Sequence, residues 1–248
     1  MKPILIEIGG LSIYAFGVFM AAAYLLAMAW GMREAGRKGL DGGLVLEFGF
    51  YVLIAGLAGS RLFYFLLYPG EFEGSLIRVL TFWDGGLVLI GGGIAGAVAL
   101  MFYLSLKKQD IRAWLDALAP AAALGLVVGW MGCMFAGCGY GRPSEVPWSV
   151  TYTHPDSLGP LFVSLHPAQL YHVLAALVVF IVLLALRGRL KLKGQVAGLF
   201  LMLYAVSTIA VDFFRYQYEA MLWIFSPVQA VSVVLLAVGL ALFVHKKT

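Results

Sequence analysis

Residues 167–186 read Pro-Ala-Gln-Leu-Tyr-His-Val-Leu-Ala-Ala-Leu-Val-Val-Phe-Ile-Val-Leu-Leu-Ala-Leu, and residues 187–193 continue Arg-Gly-Arg-Leu-Lys-Leu-Lys. A helix of about twenty such residues spans about 30 Å, the thickness of a bilayer's hydrocarbon core. The run carries no Asp, Glu, Lys or Arg, and four cations follow it at once, which marks a membrane span ending on the cytoplasmic side. Six further apolar runs are long enough to span: Leu11–Met32, Val45–Tyr68, Leu87–Leu106, Leu115–Cys138, Gly194–Phe214 and Leu222–Val244. The fold class expected is therefore an all-α integral membrane protein with seven transmembrane helices. Composition agrees, since 62% of the 248 residues are hydrophobic and only 12% charged. The 30 glycines fit close packing of apolar helices in a single transmembrane bundle. Ahead of the first run stands only Lys2, and no small-residue cleavage site follows a short apolar core, so that run reads as a retained helix.

The net charge of +4 does not point to nucleic acid, because the cations lie between apolar runs and act as topology determinants. The connections Arg33–Lys38, Lys107–Arg112, Arg187–Lys193 and Lys246–Lys247 hold twelve Lys and Arg, against four (Lys2, Arg78, Arg142 and Arg215) on the alternate side. That asymmetry predicts an outside N-terminus and a cytoplasmic C-terminus. The seventeenth basic residue, Arg61, falls inside the second span. On this topology Tyr14, Arg61, Tyr64, Gly85–Gly96, Cys133–Arg142, His166–Tyr171 and Asp212–Arg215 gather at the outer end, with residues 139–166 as a small periplasmic head. A site facing the periplasm or outer leaflet is expected there.

Each group has a plain reading beside a functional one. Arg61 is costly inside a span, so it is either paired or reaching a lipid headgroup. Gly91-Gly92-Gly93-Ile94-Ala95-Gly96 matches a dinucleotide fingerprint, but no strand precedes it in a βαβ unit; Gly92 and Gly96 read first as a helix-contact pair, and otherwise as close approach to lipid. Cys133 and Cys138 are the only cysteines, too few for a structural metal site, and no metal or other cofactor is expected. On a straight helix a spacing of five splays the thiols. A disulfide needs the helix to end at Gly137 or Gly139; otherwise the two are small buried thiols. His166 opens the fifth span beside Gln169 and Tyr171 and is a candidate base or positioning residue. Asp212 and Arg215 are either an i, i+3 ion pair or headgroup ligands.

Taken together, His166-Pro-Ala-Gln-Leu-Tyr171, Trp83-Asp-Gly-Gly86 with Gly91-Gly92, Gly132-Cys133-Met-Phe-Ala-Gly-Cys-Gly-Tyr-Gly-Arg142-Pro143 and Tyr204 with Asp212-Phe-Phe-Arg215 resemble the prolipoprotein diacylglyceryl transferase family over essentially the whole chain. The resemblance implies transfer of a diacylglyceryl group from phosphatidylglycerol, or another phospholipid, to the lipobox cysteine of a prolipoprotein signal peptide in the bacterial inner membrane. It places Tyr14, Gly91, Gly92, Gly141, Arg142, His166, Gln169, Tyr204 and Asp212 on the family pattern, with Asp212 shorter than the usual Glu. The chain departs from that pattern at Ile90, where the family usually has His or Tyr, and at Trp130 and Thr208, where it has arginines. Three readings follow: the family reaction with a rearranged cationic cradle from Arg61, Arg142 or Arg215; a paralogue acting on another outer-leaflet lipid or thiol substrate, with Cys133 or Cys138 as nucleophile; and a non-catalytic lipid-binding protein.

Overall fold

The computed structural model describes residues 2–9, 11–72, 81, 86–216 and 226–245. Residues 83–85 of the Trp-Asp-Gly-Gly motif, and the first residues of the seventh predicted span at 222–225, lie outside them. Seven helices among the described residues are long and apolar enough to cross a membrane: α1 Ala15–Arg37, α2 Gly43–Leu67, α3 Leu89–Leu106, α4 Ile111–Ala136, α5 Ala168–Leu186, α6 Gln195–Asp212 and α7 Pro227–Val244. The protein is a seven-span all-α membrane protein with short strand pairs outside the helices.

The first predicted span needs correction. Leu11–Tyr14 is not helical but forms strand β2, antiparallel to β1 Ile4–Ile8, and α1 runs on to Arg37. Gly9 takes a left-handed φ of +57° at the turn, and the flanking Ile-rich segments alternate as strands do. A four-residue apolar stretch feeding a helix has the same composition as the helix, so apolar content alone ran the two together. The fourth span is shifted similarly, starting at Ile111, where Asp110 Oδ1 accepts the Arg112 and Ala113 N–H groups, and stopping at Ala136.

The chain divides into two compact units, one of Met1–Glu34 with Leu115–Thr248, the other of Ala35–Trp114. In the second unit, α2 and α3 meet along glycines. A methyl at Gly59 would lie 2.8 Å from the Gly91 carbonyl, one at Gly91 2.4 Å from Phe63 Cβ, and one at Gly92 2.9 Å from the Gly56 carbonyl. Backbones this close exclude side chains at the seam. The chain leading into α3 is tied to α2 by the Val88 N–H on the Ser60 carbonyl (3.1 Å) and by Arg61 Nη1 on the Gly86 carbonyl (3.1 Å).

In the first unit, α4, α5 and α6 share a core of Ala119, Ala123, Val179, Leu183, Val196 and Ala197. Asp116 on α4 accepts the Gly194 and Ala197 N–H groups, both at 2.9 Å, and so serves the open N-terminus of α6. Buried Glu34 at the end of α1 pairs with Arg187 after α5. α6 and α7 pack at Gly198 and Gly239. The α7 N-terminus carries a capping box, Ser226 with Gln229, followed by Pro227 at the first helical position. A minimal ladder of β3 Val150–Thr151 and β4 Ser164–Leu165 organises the segment between α4 and α5.

Candidate active site

The site in the first unit begins where α4 ends. Gly137 takes φ +84°, which an L side chain rarely adopts, and a methyl there would meet Ser157 Oγ at 2.4 Å. The turn directs both the Gly137 and Cys138 N–H groups onto the Cys133 carbonyl, at 2.8 and 3.1 Å. Cys138 is thereby folded back towards Cys133. The two thiols are free and their residues half-buried. The neighbouring Cys133 thiol, with the Arg215 charge adding to it, holds the Cys138 thiol below the ordinary cysteine range.

A side-chain clamp fixes this turn. Gln169, on the first turn of α5 and fully buried, donates through Nε2 to the Cys138 carbonyl (2.8 Å) and to the Tyr152 hydroxyl (3.0 Å). Tyr152 in turn donates to the Met134 carbonyl at 3.3 Å, so the pair grips both ends of the cysteine segment. Burial pushes the Tyr152 phenol up to about 12, and it works as a neutral hydroxyl.

Arg215, just past α6, is the charge at the centre. It pairs with Gly141 in an isolated antiparallel bridge, and the next residue's N–H, that of Tyr216, donates to the Tyr140 carbonyl at 3.4 Å. Asp212 lies 3.9 Å from Arg215 and accepts a 2.6 Å hydrogen bond from Ser226 Oγ, so the α7 cap and the arginine share one buried carboxylate. Of the two readings open for Asp212 and Arg215, the i, i+3 ion pair is present, and Ser226 joins it. Buried His172 stacks on Trp130, with ring centroids 3.9 Å apart and planes 8° apart. Its Nε2 and the Arg215 Nε have no hydrogen-bond partner among the described residues.

The rim is woven by backbone. The Gly141 N–H donates to the His166 carbonyl (3.1 Å), the His166 N–H to the Arg142 carbonyl (3.0 Å), and the Arg142 N–H to the Phe214 carbonyl (2.9 Å). A methyl at Gly141 would fall 2.4 Å from the His166 carbonyl and 2.7 Å from that of Phe214, so this three-way junction admits only glycine. It brings His166 against Phe214, with centroids 5.3 Å apart, and sets exposed Arg142 over the same ring at 6.0 Å. His166 Nδ1 lies 3.0 Å from the Tyr171 hydroxyl, onto which Trp148 Nε1 donates at 2.8 Å.

A family model described as prolipoprotein diacylglyceryl transferase matches residues 3–245. The chain belongs to this family. Relatives named phosphatidylglycerol–prolipoprotein diacylglyceryl transferase include one from Clostridium tetani, 28% identical over 243 residues that cover 98% of this chain and 97% of the relative. Another from Symbiobacterium thermophilum is 30% identical over 246 residues, covering 98% and 91%. A third, from Nostoc, is 28% identical over 258 residues, covering 99% and 90%.

Of the candidate site residues, Cys133, Cys138, Gly141, Arg142, His166, Gln169, Tyr171, Tyr204, Asp212 and Arg215 lie in the first unit. Tyr14 ends β2, about half exposed, and among the described residues no hydrogen bond or ring contact ties it to this cluster. Arg61, Gly91 and Gly92 belong to the second unit. There the guanidinium of buried Arg61 lies over the rings of Phe72 (5.1 Å) and Tyr64 (5.8 Å), while the glycines sit in the α2–α3 seam. Sequence reasoning missed His172, Tyr152, Trp148 and Ser226. Of these, only Ser226 carried a local signal, the Ser-Pro-x-Gln start of a capped helix.

Proposed function

We propose that this chain transfers a diacylglyceryl group from phosphatidylglycerol to the lipobox cysteine of a prolipoprotein signal peptide, at the outer leaflet of the bacterial inner membrane. The acceptor thiolate attacks the glyceryl carbon that bears the phosphate ester. A carbon–sulfur bond forms, the carbon–oxygen bond breaks, and glycerol phosphate leaves with the electron pair. The chemistry needs a base for the thiol and a cation for the departing phosphate. His166 is the candidate base: with Nδ1–H donating to the Tyr171 oxygen, which has lone pairs enough to accept from Trp148 as well, Nε2 is left to take the proton. Arg142, Gly141, Gln169, Tyr171, Tyr204 and Asp212 frame the lipid side of this reading. Tyr14, Gly91 and Gly92 remain candidates on the family pattern alone, and Arg61 as a charge inside a span. The Lys and Arg distribution supports an outside N-terminus, and the proposal takes the chain as one bundle with residues 139–166 as its head.

The observation that carries this reading is the position of Arg215. Arg215 bridges Gly141 in the junction that also holds Arg142 and His166, and its ion-pair partner Asp212 lies one helical turn after Thr208. It therefore supports a cation serving the neighbourhood of Thr208, where one family arginine is replaced. The test is full-length protein in phosphatidylglycerol vesicles with a synthetic lipobox peptide. Lipidated peptide and glycerol phosphate are expected one for one, with His166→Gln lowering the rate by about 10²-fold or more. No product under conditions where a relative is active overturns the proposal.

A second reading is favoured by the Trp130–His172 stack, which presents an aromatic face where the family pattern has a guanidinium. It assigns a different outer-leaflet lipid or thiol substrate, with Cys133 or Cys138 as nucleophile. Retained turnover in Cys133→Ser and Cys138→Ser variants removes the cysteines from it.

A further inference from the structure

We infer that Cys133 and Cys138 form a redox-active dithiol that closes reversibly into an intramolecular disulfide on meeting a disulfide oxidant of low molecular weight. The helix break at Gly137 carries the inference. On an uninterrupted helix these side chains would diverge, whereas the left-handed Gly137 returns Cys138 over the Cys133 carbonyl, with its N–H 3.1 Å away, in the helix-end turn that sets these two side chains against one another. The Gln169–Tyr152 clamp holds Met134 and Cys138 from outside the turn, so the pairing is built into the tertiary structure. Neither cysteine is fully buried, which leaves a way in for an external oxidant. The Arg215 charge favours the thiolate at Cys138, the cysteine that lies beyond the end of α4.

The step balances with a disulfide RS–SR as oxidant. The Cys138 thiolate attacks one sulfur, forming a mixed disulfide and expelling RS⁻, which takes a proton from solvent. Cys133 then gives up its proton and attacks the Cys138 sulfur, releasing the second RSH. The protein loses two protons and two electrons, and the oxidant gains them. This redox cycle is separate from lipid transfer and is read out without it.

The experiment uses full-length protein in detergent micelles, reduced with a water-soluble phosphine, desalted and exposed to oxidised glutathione at constant pH. Free thiols are counted by maleimide mass tagging after denaturation. Both thiols are expected to vanish together in monomeric protein carrying no bound glutathione, and to return on reduction. The Cys133→Ser variant, lacking the resolving thiol, is expected to accumulate one stable glutathione adduct on Cys138. In Cys138→Ser, the adduct on Cys133 should form roughly tenfold more slowly, following thiolate availability. Wild-type protein that keeps two reactive thiols, retains glutathione on both sulfurs, or cross-links between molecules overturns the inference. The wild-type count alone decides this, so a variant that fails to fold does not protect the inference.

Discussion

The α2–α3 seam and the Arg215 cluster solve the same difficulty in opposite ways. Apolar surroundings give helices little hydrophobic reason to associate, so a membrane protein relies on close backbone packing or on satisfied polar groups. The seam removes side chains altogether, and Gly59, Gly91 and Gly92 let backbone meet backbone. The cluster keeps polar groups and ties them by hydrogen bonds, from Gln169 through Tyr152 and from Asp212 to Ser226. The first arrangement tolerates no added volume. The second tolerates small changes in shape and is sensitive to lost charge and lost donors.

The sharpest way to break the contrast is Gly91→Val. Its added atoms would meet Phe63 and the Gly59 carbonyl below 3 Å, a clash with backbone that no rotamer relieves. Overpacking of this kind costs about 1–3 kcal/mol or more, and detergent-solubilised protein should elute as aggregate in size-exclusion chromatography. Gly93→Ala, where the added methyl meets nothing within 4 Å, should behave as wild type. If both variants fold alike, the seam is not a tight contact.

Next in size is Arg215→Ala. The fold should survive, while transferase rate falls by about 10²–10³-fold, the typical loss when a preorganised charge donor to a developing anion is removed. Arg215→Lys should recover only part of this, because an ammonium lacks the planar fork. Rates compared at saturating phosphatidylglycerol separate lost chemistry from lost binding.

Smaller again is Ser226→Ala, which deletes the α7 cap and the donor to buried Asp212 together. About 1–2 kcal/mol of stability should go, read as a lower melting temperature in detergent. Tyr152→Phe should cost about 1 kcal/mol, since one hydroxyl is lost from the clamp while Gln169 keeps the Cys138 carbonyl. A larger loss for Tyr152→Phe than for Ser226→Ala would reverse the ranking of the two polar ties.

Much of this was open to reading along the chain. The seven spans stood out because twenty apolar residues in a row have few other uses. The Asp212–Arg215 pair followed from helical spacing. The hairpin at Leu11–Tyr14 was hidden because a short apolar strand adjoining a span looks like more of the span. The Trp130–His172 stack and the Tyr152 clamp were hidden for another reason: their members lie on different elements, and no local pattern marks residues that meet only after the helices pack.

Cys133 and Cys138 show where the division falls. Along the chain, two thiols stand five residues apart, with glycine between and after them, at the end of an apolar run. Both outcomes, splayed or paired, were compatible with that spacing, because a helix end is decided by what its last carbonyls and N–H groups find. Only the tertiary structure decided it. Ser157 and Gly159 pack against Gly137, Gln169 and Tyr152 grip the turn from α5 and the head, and Arg215 arrives from the end of α6 to place a charge beside the sulfurs.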